Sequence, residues 1–311
     1  MRVLVTGIAG DIGLSICKIL KKEKNIKFLL GCDVHDQHIG NIFCDKFTIM
    51  PKVKAKDYSN KLIEIINKYK INIIIPSFES EQKYLNKKFP NRKVNAAKII
   101  LANNKSLLTG FDKFKTYEFL KKNKLPYPWT VPIERGHPKN LPCILKSRFS
   151  SGGANVELIK EIKNITSYKK LFSNHVWQQY IDDSENEYTC GVYRSSKGDI
   201  KSIIFKRRLA LGISMYAEIV DNLSIRILCE TVAKKLNLIG SINIQLRLSD
   251  GIPLIFEINP RFSSTVIFRD MVGFKDLLWS ISDTHGKNLN KFNEKKSLGK
   301  KIYKYFEEKI I

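Results

Sequence analysis

Residues 240–264 read GSINIQLRLSDGIPLIFEINPRFSS, and the fold turns on how this stretch pairs with itself. Ile242, Ile244, Leu246 and Leu248 alternate with Asn243, Gln245 and Arg247, the period of two of a strand with one face in a core. Ser249, Asp250 and Gly251 carry turn chemistry, and Ile252 to Ile258 reads as a second strand. Glu257 and Asn259 share a face because residues i and i+2 do. With Gln245 they supply hard oxygen donors that suit Mg²⁺ or Mn²⁺. Arg261 lies two residues on, placed to meet an anion beside the metal. An amphipathic hairpin with a wetted polar face would show the same alternation.

Register separates the two readings. A regular two-residue Asp250-Gly251 turn sets Gln245 opposite Phe256 and Glu257 opposite Ile244, polar against apolar. A slip of one residue exchanges the faces. It puts Asn243, Gln245 and Glu257 on one side and Ile244, Leu246, Leu254 and Phe256 on the other. The pattern therefore predicts a loop of odd length or a bulge, with Gly251 at positive φ.

The string Glu257-Ile-Asn259-Pro-Arg261, with Gln245 ahead of it, closely resembles the metal signature of the ATP-grasp superfamily, in its carbamoyl-phosphate-synthase-like branch. The resemblance implies that Gln245, Glu257 and Asn259 hold two magnesium ions on the ATP phosphates. It also implies that Arg261 steadies an acyl-phosphate transition state.

Further motifs follow in that family's order. Asp112-Lys113 begins a helix with Asp112 as N-cap, followed by Lys124-Leu-Pro-Tyr-Pro128. This resembles the start of an ATP-grasp domain, where the lysine reaches phosphate. Lys146 interrupts the apolar strand Pro142–Ser147, and the small residues Ser151, Gly152 and Gly153 follow. Such loops wrap phosphate with backbone N–H groups. The resemblance assigns Lys146 to the α/β phosphates, adenine to the hinge at Gln179, Tyr180 and Ile181, and the ribose hydroxyls to Glu187. Lys206, Arg207 and Arg208 are read as a strand end, with Lys206 or Arg207 stabilising the transferring charge. Residues 209–218 are read as a mobile substrate loop, and Asn222 to Leu236 as an amphipathic helix.

Toward the N-terminus, residues 2–6 form a strand, Gly7-x-x-Gly10-x-x-Gly13 opens a helix, and Phe28 to Cys32 is a second strand ending in Asp33. A helix from Tyr58 to Lys70 and an apolar strand, Ile71 to Ile75, follow. Glu79 and Glu81 lie beyond its carboxyl end, where open α/β sheets bind ligands. The glycines and Asp33 also fit a dinucleotide fingerprint. An NAD(P)-dependent nucleotide-sugar epimerase or dehydrogenase would further need Tyr-x-x-x-Lys, which occurs at Tyr84…Lys88 and Tyr117…Lys121. The ATP-grasp resemblance instead assigns Gly10, Gly13 and Glu79 to substrate and predicts no NAD binding.

The 311 residues carry 54 Lys+Arg against 30 Asp+Glu, a net charge of +24. The excess is scattered lysine without an arginine and aromatic stripe, so anionic small molecules fit better than nucleic acid. Six cysteines form no CxxC pair and read as buried thiols of a reducing compartment. Cys32, Asp33, His35 and His38 lack the second ligand pair of a zinc site. The absence of a signal peptide or a long apolar run predicts a cytoplasmic protein with no membrane partner. The expectation is α/β and α+β: a Rossmann-like pre-ATP-grasp domain over 1–102, then an ATP-grasp fold of two α+β subdomains over 103–311, with a lid near 128–180. The resemblance implies an ATP- and Mg²⁺-dependent ligase that joins a small-molecule carboxylate to an amine through an acyl phosphate. It leaves room for a homodimer. A non-catalytic ATP-grasp nucleotide-binding module is the remaining alternative.

Overall fold

The computed structural model describes residues 1–149, 156–161, 165–182, 186–210, 212–287, 292 and 294–310. The chain opens with β1 (Arg2–Thr6), α1 (Asp11–Leu20), β2 (Phe28–Asp33), β3 (Lys46–Ile49), α2 (Tyr58–Tyr69), β4 (Ile73–Pro76), α3 (Glu79–Lys88), β5 (Lys93–Val94) and β6 (Ala97–Ile99). The strands form one sheet in the order β3-β2-β1-β4-β6-β5, parallel except for the β5–β6 pair. Val3 to Val5 and Ile73 to Ile75 are unbroken apolar runs because both faces of the sheet are covered. On one face α1 buries Ile16, Ile19 and Leu20 against Val3, Val5 and Leu29. On the other, α2 buries Leu62, Ile65 and Ile66 against Leu4, Leu30 and Ile74.

Next come α4 (Asn104–Gly110), α5 (Lys113–Lys122), β7 (Thr130–Pro132), β8 (Cys143–Ser147), β9 (Val156–Ile159), α6 (Ile165–Leu171) and β10 (His175–Gln179). Their strands make a small antiparallel sheet, β7-β10-β8-β9, over its own core of Ile133, Leu145, Ile159 and Trp177. The third sheet is built from β11 (Glu187–Arg194), β12 (Ile200–Ala210), β13 (Ile213–Ile219), β14 (Gly240–Ser249), β15 (Ile252–Asn259) and β16 (Lys301–Tyr303), in the order β15-β14-β11-β12-β13-β16. Helix α7 (Leu223–Leu236), capped by Asn222, covers one face. Helices α8 (Val266–Met271) and α9 (Asp276–Asp283) cover part of the other.

A single apolar core runs from Leu4 and Ile74 through Leu107 and Leu120 to Ile204, Ile225 and Ile244, so the first and third sheets are packed together. All six cysteines are buried free thiols. No helix among the described residues is long and apolar enough to cross a membrane.

The 240–264 hairpin resolves the register. Its turn is the regular two-residue one, with Asp250 at φ 49° and Gly251 at φ 77°. Near the turn the pairing is the mismatched one, Arg247 opposite Leu254 and Leu246 opposite Ile255. A bulge follows, and beyond it Gln245 faces Glu257 and Asn243 faces Asn259. The extra residue is Phe256, and its placement corrects the sequence reading: Phe256 turns to the polar face. Ile255, not Leu254, enters the core. Segment 209–218 is also corrected. It is largely β13, whose alternating Ser214, Tyr216 and Glu218 against Ile213, Met215 and Ala217 fit a strand paired to both β12 and β16.

Candidate active site

The carboxyl ends of the first sheet, the inner face of the small sheet and the open face of the third sheet enclose a cavity of about 850 Å³. Gln245, Glu257 and Asn259 line its floor, brought together by the Phe256 bulge. Below them Asn243 is fully buried. Its Oδ1 accepts hydrogen bonds from Thr189 Oγ1 at 2.9 Å and Ser263 Oγ at 3.0 Å. Arg269, buried and paired with Asp276, donates to Ser263 Oγ at 3.0 Å and Thr265 Oγ1 at 3.1 Å, which fixes the chain just after Arg261. Gly191 makes room for it, since a Cβ there would lie 2.5 Å from Arg269 Cδ.

Two lysines approach the floor from different elements. Asp112 caps α5, accepting the Phe114 N–H at 2.9 Å. It also takes a bidentate grip from Arg148 at 3.1 and 2.6 Å, tying α5 to the end of β8. Lys113 Nζ thereby stands 3.5 Å from Glu257 Oε1. Lys146, buried on β8, donates to the Phe256 carbonyl at 3.2 Å. Burial pushes its ammonium down to about 7; Glu257 pulls the other way, while Lys113 and Arg247 add to the fall.

Glu187 and Arg207 line the cavity as a pair. Arg207 donates to Glu187 Oε1 at 3.1 and 2.7 Å, and Arg247 donates to Oε2 at 3.2 and 2.8 Å. Burial opposes the charge of Glu187, but the two guanidiniums outweigh it and hold the carboxyl below its usual range. Both Glu187 oxygens, assigned by the resemblance to ribose, are thus already gripped, and Arg207, expected to stabilise transferring charge, is paired with that carboxylate. Lys206 is corrected outright. It does not line the cavity, because it alternates with Arg207 along β12 and shares its face with Ile204, on the α7 side.

Gln178, Gln179 and Ile181 line the hinge side. Gln179 Oε1 accepts the Trp129 N–H at 3.3 Å. Tyr180 points elsewhere, its hydroxyl donating to Asp182 at 3.0 Å. Ser151, Gly152 and Gly153 lie outside the described residues.

On the N-terminal side Gly10 and Glu79 line the cavity, with Glu79 paired to Lys83. Gly13 does not. Its Cβ would sit 2.2 Å from the Gly7 carbonyl, so its role is close packing of α1 on the glycine turn. Asp33 accepts the backbone N–H groups of Ala9 at 2.8 Å and Val34 at 2.7 Å. Neither Tyr84 nor Tyr117 lines the cavity. Sequence reading missed Arg247, Ser263 and Ser264. Arg247 was legible, as the next alternate residue after Gln245 on one strand face.

One carboxylate and two amides are a sparse donor set for a divalent ion. They fit Mg²⁺ that brings phosphate oxygens and water with it. Asn243, on the same strand face but fully buried, leaves its Nδ2 without a partner among the described residues.

A family model for the ATP-grasp domain matches residues 111–265, and one for the PylC-like N-terminal domain matches residues 4–100. The chain belongs to the ATP-grasp superfamily of ligases. The ATP-grasp match begins just before Asp112-Lys113 and ends just past Ser264, spanning the floor and both lysines. Similar solved structures include N5-carboxyaminoimidazole ribonucleotide synthetase from Thermotoga maritima, at 17% identity and TM-score 0.68, covering 91% of this chain and 76% of that one. The Staphylococcus aureus synthetase complexed with ADP matches at 17% and 0.71, covering 93% and 78%. The biotin carboxylase domain of Hydrogenobacter thermophilus 2-oxoglutarate carboxylase, a dimer with MgADP and bicarbonate, matches at 13% and 0.71, covering 94% and 71%. At these identities the likeness is one of fold. No curated protein matches the chain.

Proposed function

We propose that this ATP-grasp chain phosphorylates a small-molecule carboxylate with Mg·ATP and couples the acyl phosphate to an amine, releasing ADP and phosphate. The observation that carries the reading is the register: the bulge aligns Gln245 directly with Glu257, facing Lys113 and Lys146 across the cavity. In this reading Gln245, Glu257 and Asn259 hold one or two Mg²⁺ on the phosphates, and the metal offsets the charge that moves during transfer. Lys113 and Lys146 bind phosphate oxygens. Adenine enters the hinge beside Gln179 and Ile181. Arg261, with its Nη1 turned to the Phe262 carbonyl at 2.9 Å, faces the acyl phosphate.

We read residues 1–102 as a Rossmann-like unit that carries the acceptor substrate near Gly10 and Glu79, and residues near 128–180 as a lid. Bicarbonate and a ribonucleotide figure in the names of similar structures, and either kind of acid and amine belongs in the first screen. That screen measures ADP release with pooled carboxylates and pooled amines. Release that needs Mg²⁺, one acid and one amine supports the reading. Micromolar NAD binding, or no ADP with any pair, overturns it.

A further inference from the structure

A second cavity, of about 280 Å³, opens beside the first at the carboxyl ends of β1, β2 and β3. The two share Gly7, Asp33 and Phe78 as lining, so a molecule in one can extend into the other. Met50, Val53 and Cys32 give the smaller cavity apolar walls, and Glu81 lies in its lining, only 1% exposed.

Glu81 is unlike the other acids on this side. Asp11 pairs with Lys304, Glu79 pairs with Lys83, and Asp33 is held by two backbone N–H groups. Glu81 instead accepts one hydrogen bond from the Thr6 hydroxyl and one from the Tyr58 hydroxyl, and no ion pair reaches it among the described residues. Lys52 and Lys54 line the same cavity but are exposed, at its rim. A buried carboxyl without a cation is costly, and burial pushes this one up to about 7. Two hydroxyl donors fix its orientation and leave lone pairs for a further donor. Apolar walls ending in such an acid match an aliphatic stem ending in an ammonium.

We propose that this cavity is a subsite for an aliphatic amino group carried by the molecule that the enzyme modifies, with Glu81 as its counter-ion. The proposal rests on the ligase reading for the meaning of the main cavity. The carboxylate near Arg261 and the amino group near Glu81 then belong to one substrate, an aminocarboxylic acid.

The test uses the full chain with Mg·ADP and calorimetric titration of ε-aminocaproate beside caproate and hydroxycaproate. The amino compound should bind roughly tenfold or more tightly than the other two, the size expected of a desolvated charged hydrogen bond. Glu81→Gln should abolish the preference while Mg·ADP affinity stays. Ser80→Phe, at an exposed position on the wall, should also abolish it, which keeps the test open if Glu81→Gln does not fold. Equal affinity for the three compounds, no binding of the amino compound, or a preference that survives either variant overturns the subsite and leaves Glu81 as a brace between β1 and α2. Loss of Mg·ADP binding by the wild-type protein would count against the ligase reading instead.

Discussion

The glycine turn and the polar face of the β14–β15 hairpin both line the main cavity, and they handle their polar groups in opposite ways. The glycine turn, Gly7 to Gly13, spends them on itself: the Gly7 N–H goes to the Cys32 carbonyl, the Gly10 N–H to the Gly7 carbonyl, and the Ala9 N–H to Asp33. Ser77 also donates to the Gly7 carbonyl, and Asp11 is paired with Lys304. The β14–β15 hairpin instead turns side-chain oxygens toward the cavity and braces them from below through Asn243 and Arg269. A glycine fingerprint identifies a backbone shape. A ligand site also needs donors or acceptors left to give.

The sharpest way to break this contrast is Glu257→Ala. It removes the carboxylate of the proposed metal set, and Mg²⁺-dependent ADP release should fall about a thousandfold or more, several kcal/mol of transition-state stabilisation. Circular dichroism should remain that of the wild type. Turnover within tenfold would show that the hairpin is a polar surface like any other.

Lys146→Met should act in two directions. ATP affinity, measured by calorimetry, should drop roughly ten- to a hundredfold with the loss of a buried phosphate contact. The nucleotide-free protein should become more stable. Lys146 has a folded pKa near 7, below its unfolded value of 10.5, so between these limits the unfolded chain binds more protons. Its burden on stability is therefore full below about pH 7 and fades as pH rises toward 10.5. The gain from Lys146→Met in urea unfolding should shrink over the same window. A constant gain would mean that the ammonium is not strained by burial.

The glycine turn gives the smaller effects, and they should fall on stability. Gly13→Ala places a methyl against the Gly7 carbonyl and should cost about 1–3 kcal/mol, read from denaturant midpoints. Gly10→Ala meets only the Gly7 carbonyl at 3.6 Å, at an ordinary φ of −80°, and should change stability by less than about 0.5 kcal/mol. Equal costs for the two would remove the structural account of the fingerprint.

What the sequence revealed depended on distance along the chain. Gln245, Glu257 and Asn259 could be read because strand alternation and one turn relate them, and the register conflict announced a bulge. Its position could not be read, so Phe256 and Leu254 were assigned to the wrong faces. Alternation also says that Lys206 and Arg207 oppose each other, but which one looks inward depends on where α7 packs. The clamp on Glu187 joins residues 20 and 60 positions apart, and the Asp112–Arg148 tie spans 36. No local pattern encodes such pairs.

The bulge works like a dislocation in a crystal: the offset on one side of it does not spread to the other. Between the bulge and the turn, residues pair one way; beyond it, Gln245 with Glu257 and Asn243 with Asn259 pair another. The tip of the hairpin is therefore insulated from the floor. Removing a matched pair such as Leu248 and Pro253 would shorten the tip without rotating Gln245 away from Glu257. The same defect offers the Phe256 carbonyl to Lys146, so the small sheet is anchored to the third at the point where the ladder shifts.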